Sequence, residues 1–344
     1  DSGIITQGKV IALVNYMSQI LVELIKMANL IIIISKAVAC MNRVDSIFKV
    51  ESSIEDKGRH GSRKPGSQNS GSQNSGSQNP GPQNSGPQNP ALRIPKVEFK
   101  DMEFVYAGAK EPALKDISFC AMAGQTIGVI GGTGSGKSTL VNLIPRFYDA
   151  ASGQVLVDGT DVKEYSLDEL RDKTGVVPQK SVLFKGTLRD NMRWGKQDAS
   201  DEEIYRALDT AQAREFVDSK GEGLDLYIDQ GGHNLSGGQR QRLTIARALV
   251  RRPEILIMDD SASALDFATD ARLRKAIREN TGDMTVFVVS QRATTIKSAD
   301  TILVLDEGRL AGMGTHKELL KDCQVYREIC LSQLSKEEVE RDEQ

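Results

Sequence analysis

The sequence predicts an α/β domain that is preceded by one long helix of transmembrane type and by a disordered linker. Short apolar runs between polar loops are typical of strands in a parallel sheet that is covered on both faces. Four such runs are found at 126–131, 255–259, 285–290 and 301–306. Helical patterns alternate with them, at 137–147, 201–213, 237–252 and 267–280. This alternation indicates an α/β domain at 94–334, which a charged tail follows at 335–344.

Composition and charge argue against several classes of protein. The chain has 344 residues, with 44 basic and 47 acidic side chains and a formal net charge of −3. This balance argues against a nucleic-acid binder held by bulk charge and against a polybasic membrane-surface protein. The four cysteines form no CxxC pair, which argues against a zinc ribbon and against a disulfide framework.

Residues 1–50 contain two apolar stretches and no proline. We expect one helix from about Lys9 to Lys49, which at the usual rise is roughly 60 Å long, about twice the thickness of a bilayer core. Glu23 and Lys26 separate the two stretches, so a buried helix of a soluble bundle is the alternative. Basic residues gather after the apolar part, and this bias predicts that the C-terminal side faces the cytoplasm.

Residues 51–93 have the composition of a linker. Between positions 66 and 90 the chain repeats a five-residue unit in the forms GSQNS, GSQNP, GPQNS and GPQNP. Such a segment buries too little apolar surface to offset the entropy that ordering removes. We therefore predict that it is flexible.

A glycine-rich run, GGTGSGKST, joins the strand at 126–131 to the helix at 137–147 and satisfies the pattern GxxxxGK[ST]. In this context the glycines turn backbone N–H groups toward phosphates, Lys137 reaches the outer phosphates, and Ser138 supplies a hydroxyl to Mg²⁺. The spacing differs from GxGxxG, which argues against a dinucleotide-binding loop. The predicted ATP-binding residues of this run are Gly131, Gly132, Thr133, Gly134, Ser135, Gly136, Lys137, Ser138 and Thr139.

Two carboxylates stand at the end of the strand at 255–259. Because the carboxyl ends of parallel strands meet at one edge of a sheet, we expect Asp259 beside the phosphate loop, on the Mg²⁺ side. Asp260 follows it, at the place where a base would orient water.

The run LSGGQ opens the predicted helix at 237–252, and its residues are Leu235, Ser236, Gly237, Gly238 and Gln239. Ser-Gly-Gly at the start of a helix is a second anion-binding terminus in the same chain. One nucleotide site needs only one such cradle for its terminal phosphate. The second cradle therefore suggests a head-to-tail dimer, in which Ser236 and Gly238 of each chain close the phosphate loop of the other.

With these motifs in this order, residues 97–334 resemble the ATP-binding cassette (ABC) transporter family, whose signature is LSGGQ. The resemblance implies an α/β P-loop ATPase domain of ABC type, with a RecA-like core and with antiparallel β and helical subdomains. It implies ATP and Mg²⁺ as ligands.

The resemblance also implies roles for residues outside the phosphate loop. Tyr106 is similar to the aromatic residue that stacks on adenine, and Gln179 to the loop glutamine that links the nucleotide to the transmembrane domain. The family's Mg²⁺ ligands correspond to Ser138, Gln179 and Asp259. The loop that crosses to the partner's site corresponds to Ser263, Ala264, Leu265 and Asp266.

The wording LFKGTLRDN and residues 1–50 resemble the exporter branch, in which the long helix is the last of six transmembrane helices. We therefore interpret the chain as a partial transporter that lacks the first five. The implied partners are a second ABC half-transporter, a transmembrane domain and the lipid bilayer, with no nucleic acid. The implied location is the plasma (inner) membrane, as in a multi-pass family, with the ATPase domain on the cytoplasmic side.

Two of the three predicted catalytic residues depart from the family pattern, while Gln179 keeps it. Asp260 stands where the family has its hydrolytic glutamate, and Gln291 stands at the position of the switch histidine. An aspartate is one methylene shorter than a glutamate, and a glutamine cannot become cationic. The histidines of the chain, which we interpret as surface or capping residues, are His60, His233 and His316.

These departures favour the degenerate-site half of a heterodimeric exporter. Its own site would hydrolyse ATP slowly, while its LSGGQ run would complete the partner's site. Three alternatives stay open: a homodimer with two slow sites, in which Asp260 still serves as base, a truncated fragment that does not transport, and an ABC ATPase outside transport.

Overall fold

The computed structural model describes residues 7–49, 54, 56, 94–261 and 265–343. The predicted N-terminal helix is confirmed, because α1 (Gln7–Phe48) runs unbroken for 42 residues. Its side chains are exposed along the whole length, and its most apolar window has a mean hydropathy of 1.9. Helix α1 is thus long and apolar enough to cross a membrane. The repeats at 66–90 lie outside the described residues.

Helix α1 belongs to one compact unit, and the described residues from Asp56 onward form a second unit, which holds the sheets. The strands of the second unit are β1 (Val97–Phe104), β2 (Leu114–Ala121), β3 (Thr126–Gly131), β4 (Ser152–Val157), β5 (Thr160–Asp161), β6 (Thr174–Val177), β7 (Gly186–Thr187), β8 (Tyr227–Ile228), β9 (Ile255–Asp259), β10 (Thr285–Val289), β11 (Thr301–Asp306) and β12 (Arg309–Gly314). The large sheet has the order β12-β11-β3-β10-β9-β6, and its neighbours are parallel except for β11 and β12. The four predicted parallel strands are therefore confirmed as β3, β9, β10 and β11.

An antiparallel sheet with the order β2-β1-β4-β5 packs on the large sheet. The rings of Phe99 on β1 and Phe119 on β2 stack with their centroids 4.6 Å apart, and Phe119 meets Phe287 of β10 at 6.5 Å. Phe99 and Phe287 are fully buried. Burying a side chain of this size contributes about 1.5–3 kcal/mol, so this contact fixes the antiparallel sheet on the core. The antiparallel subdomain that the family resemblance implies is thus present.

Helices follow most of the strands, and those after α1 are α2 (Lys137–Asn142), α3 (Leu167–Lys173), α4 (Leu188–Arg193), α5 (Asp201–Thr210), α6 (Arg214–Ser219), α7 (Gly237–Leu249), α8 (Phe267–Asn280), α9 (Ala293–Ile296), α10 (His316–Asp322), α11 (Gln324–Gln333) and α12 (Lys336–Glu343). Helices α2, α5, α7 and α8 begin where the sequence predicts. The first three end earlier than expected, and a residue with a left-handed backbone lies two to four residues beyond the end of each. These residues are Arg146 (φ 52°), Gln212 (φ 56°) and Arg252 (φ 52°).

The segment that the sequence sets apart as a charged tail forms helix α12 over most of its length. Val339 is 1% exposed and belongs to the hydrophobic core of the domain. Asp342 accepts a hydrogen bond from Nζ of Lys297 at 3.3 Å. The helix therefore packs on the domain through one apolar side chain, which is too little for a hydrophobic periodicity to predict.

His316 is neither a surface residue nor a cap, contrary to the sequence interpretation. The cap of α10 is Thr315, whose side chain accepts from the N–H of Glu318, and the His316 ring is 9% exposed. Its Nδ1 lies 2.7 Å from the hydroxyl of the buried Tyr326. Burial lowers the pKa of His316, against a hydrogen bond with Asp342 that raises it. His233 is exposed, as expected, and His60 lies outside the described part of the chain.

Candidate functional site

The candidate site lies at the carboxyl edge of the large sheet. Strand β10 lies between β3 and β9 and is parallel to both, so the ends of the three strands meet. The phosphate loop follows β3, Asp259 is the last residue of β9, and Gln291 lies two residues beyond β10. The fold thus brings three of the predicted site elements to the edge at which α/β sheets bind ligands.

Two glycines let the phosphate loop turn tightly. Gly136 has φ 97° and directly precedes α2, and a Cβ there would lie 2.6 Å from Cδ2 of Leu114. A Cβ at Gly131 would lie 2.1 Å from the carbonyl oxygen of Leu305. A side chain at either position would displace the loop, so the conformation requires glycine at both.

Lys137 and Ser135 are buried polar side chains of this loop. Nζ of Lys137 donates to the carbonyl oxygens of the two glycines that open the loop, at 2.9 and 2.6 Å. Burial lowers the pKa of Lys137, against the charges of Asp260 and Asp259, which raise it. The Ser135 hydroxyl has no hydrogen-bond partner among the described residues. An ammonium group and an unsatisfied hydroxyl within a glycine-rich turn fit a phosphate group.

Oxygen ligands for a divalent cation lie next to the loop. The Ser138 hydroxyl donates to Oδ1 of Asp259 at 2.9 Å. Burial raises the pKa of Asp259, against this hydrogen bond, which lowers it. Gln179 follows the neighbouring strand β6, and its Nε2 donates to Oδ2 of Asp260, the residue after Asp259, at 3.3 Å. Hydroxyl, carboxylate and amide oxygens are ligands that Mg²⁺ accepts, so the predicted set fits this ion.

Asp260 has an unusual backbone for a residue other than glycine. Its φ is 46°, and its N–H donates to the carbonyl oxygen of Val289 at 3.0 Å. The end of β10 thus holds the backbone of Asp260, while its carboxylate meets Gln179.

Tyr106 lies beside the phosphate loop. Its hydroxyl is 2.7 Å from Oγ1 of Thr139, and its ring meets Phe104 and Tyr148 edge-on, at 4.7 and 5.4 Å. The residue is 39% exposed. A partly exposed aromatic ring that is fixed by its neighbours suits stacking on a nucleobase, and this role stays a prediction. No motif in the sequence marks Tyr148, because its contact with Tyr106 arises only when the chain is folded.

The LSGGQ run forms the predicted helix start. The Ser236 hydroxyl accepts from the N–H of Gln239 at 3.2 Å, and Oε1 of Gln239 accepts from the N–H of Ser236 at 2.9 Å. Gly237 and Gly238 are the first two residues of α7, and Leu235 is buried. Within the described part of the chain, no hydrogen bond or ion pair joins this run to the phosphate loop. The two predicted cradles are thus not joined within one chain.

The predicted partner loop is described in part. Ser263 and Ala264 lie outside the described residues, whereas Leu265 is buried. Asp266 caps helix α8, because its Oδ1 accepts from the N–H of Thr269 at 2.9 Å. Asp266 therefore has a local structural role beside the predicted role across a dimer.

Gln291 is exposed, and its carbonyl oxygen accepts a hydrogen bond from Nε2 of Gln333 at 2.7 Å. Gln333 is the last residue of α11 and lies 42 residues further along the chain. No local pattern marks Gln333 in the sequence, so it was not among the predicted site residues.

Similarity to known proteins agrees with this site. Residues 114–263 match the family described as ABC transporter. The chain is 39% identical over 336 residues to an uncharacterized ABC transporter ATP-binding protein of Mycobacterium tuberculosis, covering 97% of this chain and 53% of that protein. It is 43% identical over 240 residues to an ATP-dependent lipid A-core flippase of Haemophilus influenzae, covering 70% of this chain and 41% of that protein. The chain thus spans about half the length of these relatives or less.

A solved structure shares the fold. The structure of a bacterial Atm1-family ABC exporter with ATP bound superimposes with a TM-score of 0.67 at 37% sequence identity, covering 74% of this chain and 45% of that one. The family match contains the phosphate loop and Asp259 of the site at the sheet edge, and it also contains the LSGGQ run. The chain therefore belongs to the ABC transporter family.

Proposed function

We propose that the chain is the ATP-binding subunit of an ABC exporter, in which its own ATP site hydrolyses slowly and its LSGGQ run completes the site of a partner. The observation that carries the proposal is the pair Asp260 and Gln291 at the sheet edge, next to a phosphate loop that keeps every element of its motif. The site therefore keeps the residues that bind ATP, but it departs from the family at the base and at the switch position, which act in hydrolysis.

Binding of ATP with Mg²⁺ is supported by the donor set at the sheet edge. Lys137 and the orphaned hydroxyl of Ser135 serve the phosphates, while Ser138, Gln179 and Asp259 serve the metal. When bound, Mg²⁺ neutralises charge on the outer phosphates.

Slow hydrolysis follows from the two departures. The side chain of Asp260 is one methylene shorter than that of a glutamate, so its carboxylate stands further from the reacting atoms. A displacement of about 1 Å costs on the order of 100-fold in rate. Gln291 can donate a hydrogen bond to a phosphate oxygen, but it cannot gain a proton and become cationic. The site therefore lacks a correctly placed base and a titratable switch.

Completion of a partner's site is supported by the start of α7. The helix has 13 residues, and Ser236, Gly237 and Gly238 present its N-terminal N–H groups, where a phosphate would be stabilised. Among the described residues no hydrogen bond or ion pair joins this run to the phosphate loop of its own chain, which supports the nucleotide of another chain as its ligand. A heterodimer with a half-transporter that carries glutamate and histidine at the two positions gives one fast and one slow site.

Export across a membrane is supported by α1 and by the relatives. Helix α1 is long and apolar enough to span a bilayer, and two of the similar proteins are described as a flippase and as an exporter. We therefore place the chain with a transmembrane domain in the plasma (inner) membrane, with the ATPase domain on the cytoplasmic side. The net charge of −3 gives no support to a nucleic-acid partner.

The test is ATP turnover of the full chain in lipid nanodiscs, alone and together with a half-transporter that has glutamate and histidine at the two positions. We expect ATP binding but slow turnover alone, and fast turnover only in the mixed complex. Full exporter turnover by the chain alone contradicts the slow site. If turnover is equally slow in both preparations and Asp260→Asn abolishes it, the result favours the homodimer instead.

A further inference from the structure

The segment that carries Gln291 leads directly into the short helix α9. A helix N-terminus leaves backbone N–H groups without partners inside the helix, and a side chain at the cap position usually satisfies one of them. The cap residue of α9 is Arg292, whose side chain makes no capping hydrogen bond. The N–H of Arg292 donates to the nearby Ser290 hydroxyl at 3.0 Å, whereas the next N–H, that of Ala293, has its partner in a distant residue.

Gln333, at the end of α11, is that residue. Its Oε1 accepts from the N–H of Ala293 at 2.9 Å, and its Nε2 donates to the carbonyl oxygen of Gln291 at 2.7 Å. One side-chain amide thus holds the two backbone groups on either side of Arg292. Ala293 is fully buried, so the N–H that Gln333 satisfies has little access to water.

Helix α9 is held at further points. Nζ of Lys297, at its C-terminal end, donates to Asp342 of α12 at 3.3 Å, and Arg274 of α8 donates to the carbonyl oxygen of Thr295. Helix α11 is itself anchored, because Tyr326 and Cys330 are fully buried in the core. Gln333 therefore acts from a fixed support rather than from a loose end.

From these contacts we propose that Gln333 is a positioning residue for Gln291. Its amide fixes the backbone between β10 and α9, and with it the distance of the Gln291 side chain from the terminal phosphate of ATP. The inference rests on the proposed function in one respect, namely that Gln291 faces bound ATP. A residue at a nucleotide site must be held to within about 1 Å, and a hydrogen-bonded support achieves this.

The experiment compares Gln333→Ala, Gln333→Glu and the wild type in the full chain. Gln324→Ala is the matched control, because Gln324 begins the same helix and its side chain reaches only Glu328 among the described residues. Hydrogen–deuterium exchange of residues 290–297 is measured without nucleotide and with ATP–Mg²⁺. ATP turnover and the affinity for a fluorescent ATP analogue are measured on the same preparations.

In Gln333→Ala we expect exchange at 290–297 to rise about tenfold, since a hydrogen bond to a buried N–H is lost. We expect the protection that ATP–Mg²⁺ adds to this segment to disappear and kcat to fall about fivefold or more, with KM and ATP affinity within twofold. Gln333→Glu keeps the acceptor for Ala293 and loses the donor to Gln291. It should therefore restore slow exchange of the Ala293 N–H but not the kcat.

Unchanged exchange in Gln333→Ala overturns the proposal, and so does faster exchange with unchanged kcat and unchanged protection by ATP–Mg²⁺. Full recovery of kcat in Gln333→Glu also overturns it, because the cap of α9 alone would then explain the effect. Where turnover is too slow to measure, the protection by ATP–Mg²⁺ decides. Fast turnover of the wild-type chain alone would contradict only the proposed slow site, since the ratio between variant and wild type still tests Gln333.

Discussion

The side-chain amide of Gln179 lies 3.3 Å from Oδ2 of Asp260, although 81 residues separate the two in the chain. Gln179 follows β6 and Asp260 follows β9, and these strands are neighbours at the edge of the large sheet. The residue that would orient water is therefore in contact with the loop that the family resemblance links to the transmembrane domain. Asp260 lies outside the phosphate loop, so a change at this residue should affect hydrolysis more than ATP binding.

Asp260→Glu should raise kcat for ATP by about 10- to 100-fold, because the longer side chain brings the carboxylate to the place where the base acts. ATP affinity should stay within about threefold, because the phosphate loop is unchanged. Steady-state turnover of the full chain checks this. Asp306→Glu is the control, since Asp306 ends the parallel strand β11 of the same sheet and is exposed. An Asp260→Glu protein that is no faster than the wild type would show that the shorter side chain of Asp260 does not limit the rate.

Ser138→Ala should weaken ATP binding in the presence of Mg²⁺ by about 10- to 100-fold, because a hydroxyl ligand of the metal and a hydrogen bond to Asp259 are both lost. Without Mg²⁺ the affinity should change much less. Titration with a fluorescent ATP analogue, in Mg²⁺ and in EDTA, separates the two conditions. Ser152→Ala, an exposed serine on β4, is the control. An equal loss in EDTA would assign Ser138 to the phosphates instead.

Ser236→Asp should stop turnover at the partner's site and leave ATP affinity at the chain's own site within twofold. Aspartate caps a helix about as well as serine, so α7 should stay folded, while its charge repels a phosphate at the same place. Turnover of the mixed complex and the melting temperature of the chain are the two measurements. Ser166→Asp repeats the change at the cap of α3 and should leave turnover unchanged. Normal turnover of the Ser236→Asp complex would remove the LSGGQ run from the partner's site.

The sequence predicts the parts of this protein whose signals are local. The phosphate loop, the LSGGQ helix start and the strand at 255–259 each lie within a few consecutive residues, so a motif or an apolar run is enough to place them. That the phosphate loop and the end of the strand at 255–259 meet at one sheet edge is also predictable, because parallel strands align their carboxyl ends.

Contacts between distant segments are different. Gln333 holds Gln291 across 42 residues, and Tyr148 packs against Tyr106 from the same distance, so neither partner carries a local sign of its role. Arg146, four residues beyond the end of α2, has a left-handed backbone, a conformation that arginine seldom adopts and that its sequence neighbours do not predict.

His316 gives the domain a pH dependence of stability with a defined sign. Burial lowers the pKa of His316 in the folded chain, so the unfolded chain takes up a proton first. The contribution of neutral His316 to the free energy of unfolding is therefore fully present above the unfolded pKa of about 6.5, and it is lost as the pH falls below that value. We expect the free energy of unfolding to decrease between pH 7.5 and pH 5.5 in the wild type, and to decrease less in His316→Gln, which keeps a hydrogen-bonding group near Tyr326 and Asp342 but cannot titrate. Urea unfolding of the full chain at several pH values measures this, with the exposed His233→Gln as control. A pH slope in His316→Gln equal to that of the wild type would mean that the folded protein accommodates the protonated ring, with the Asp342 carboxylate stabilising its charge.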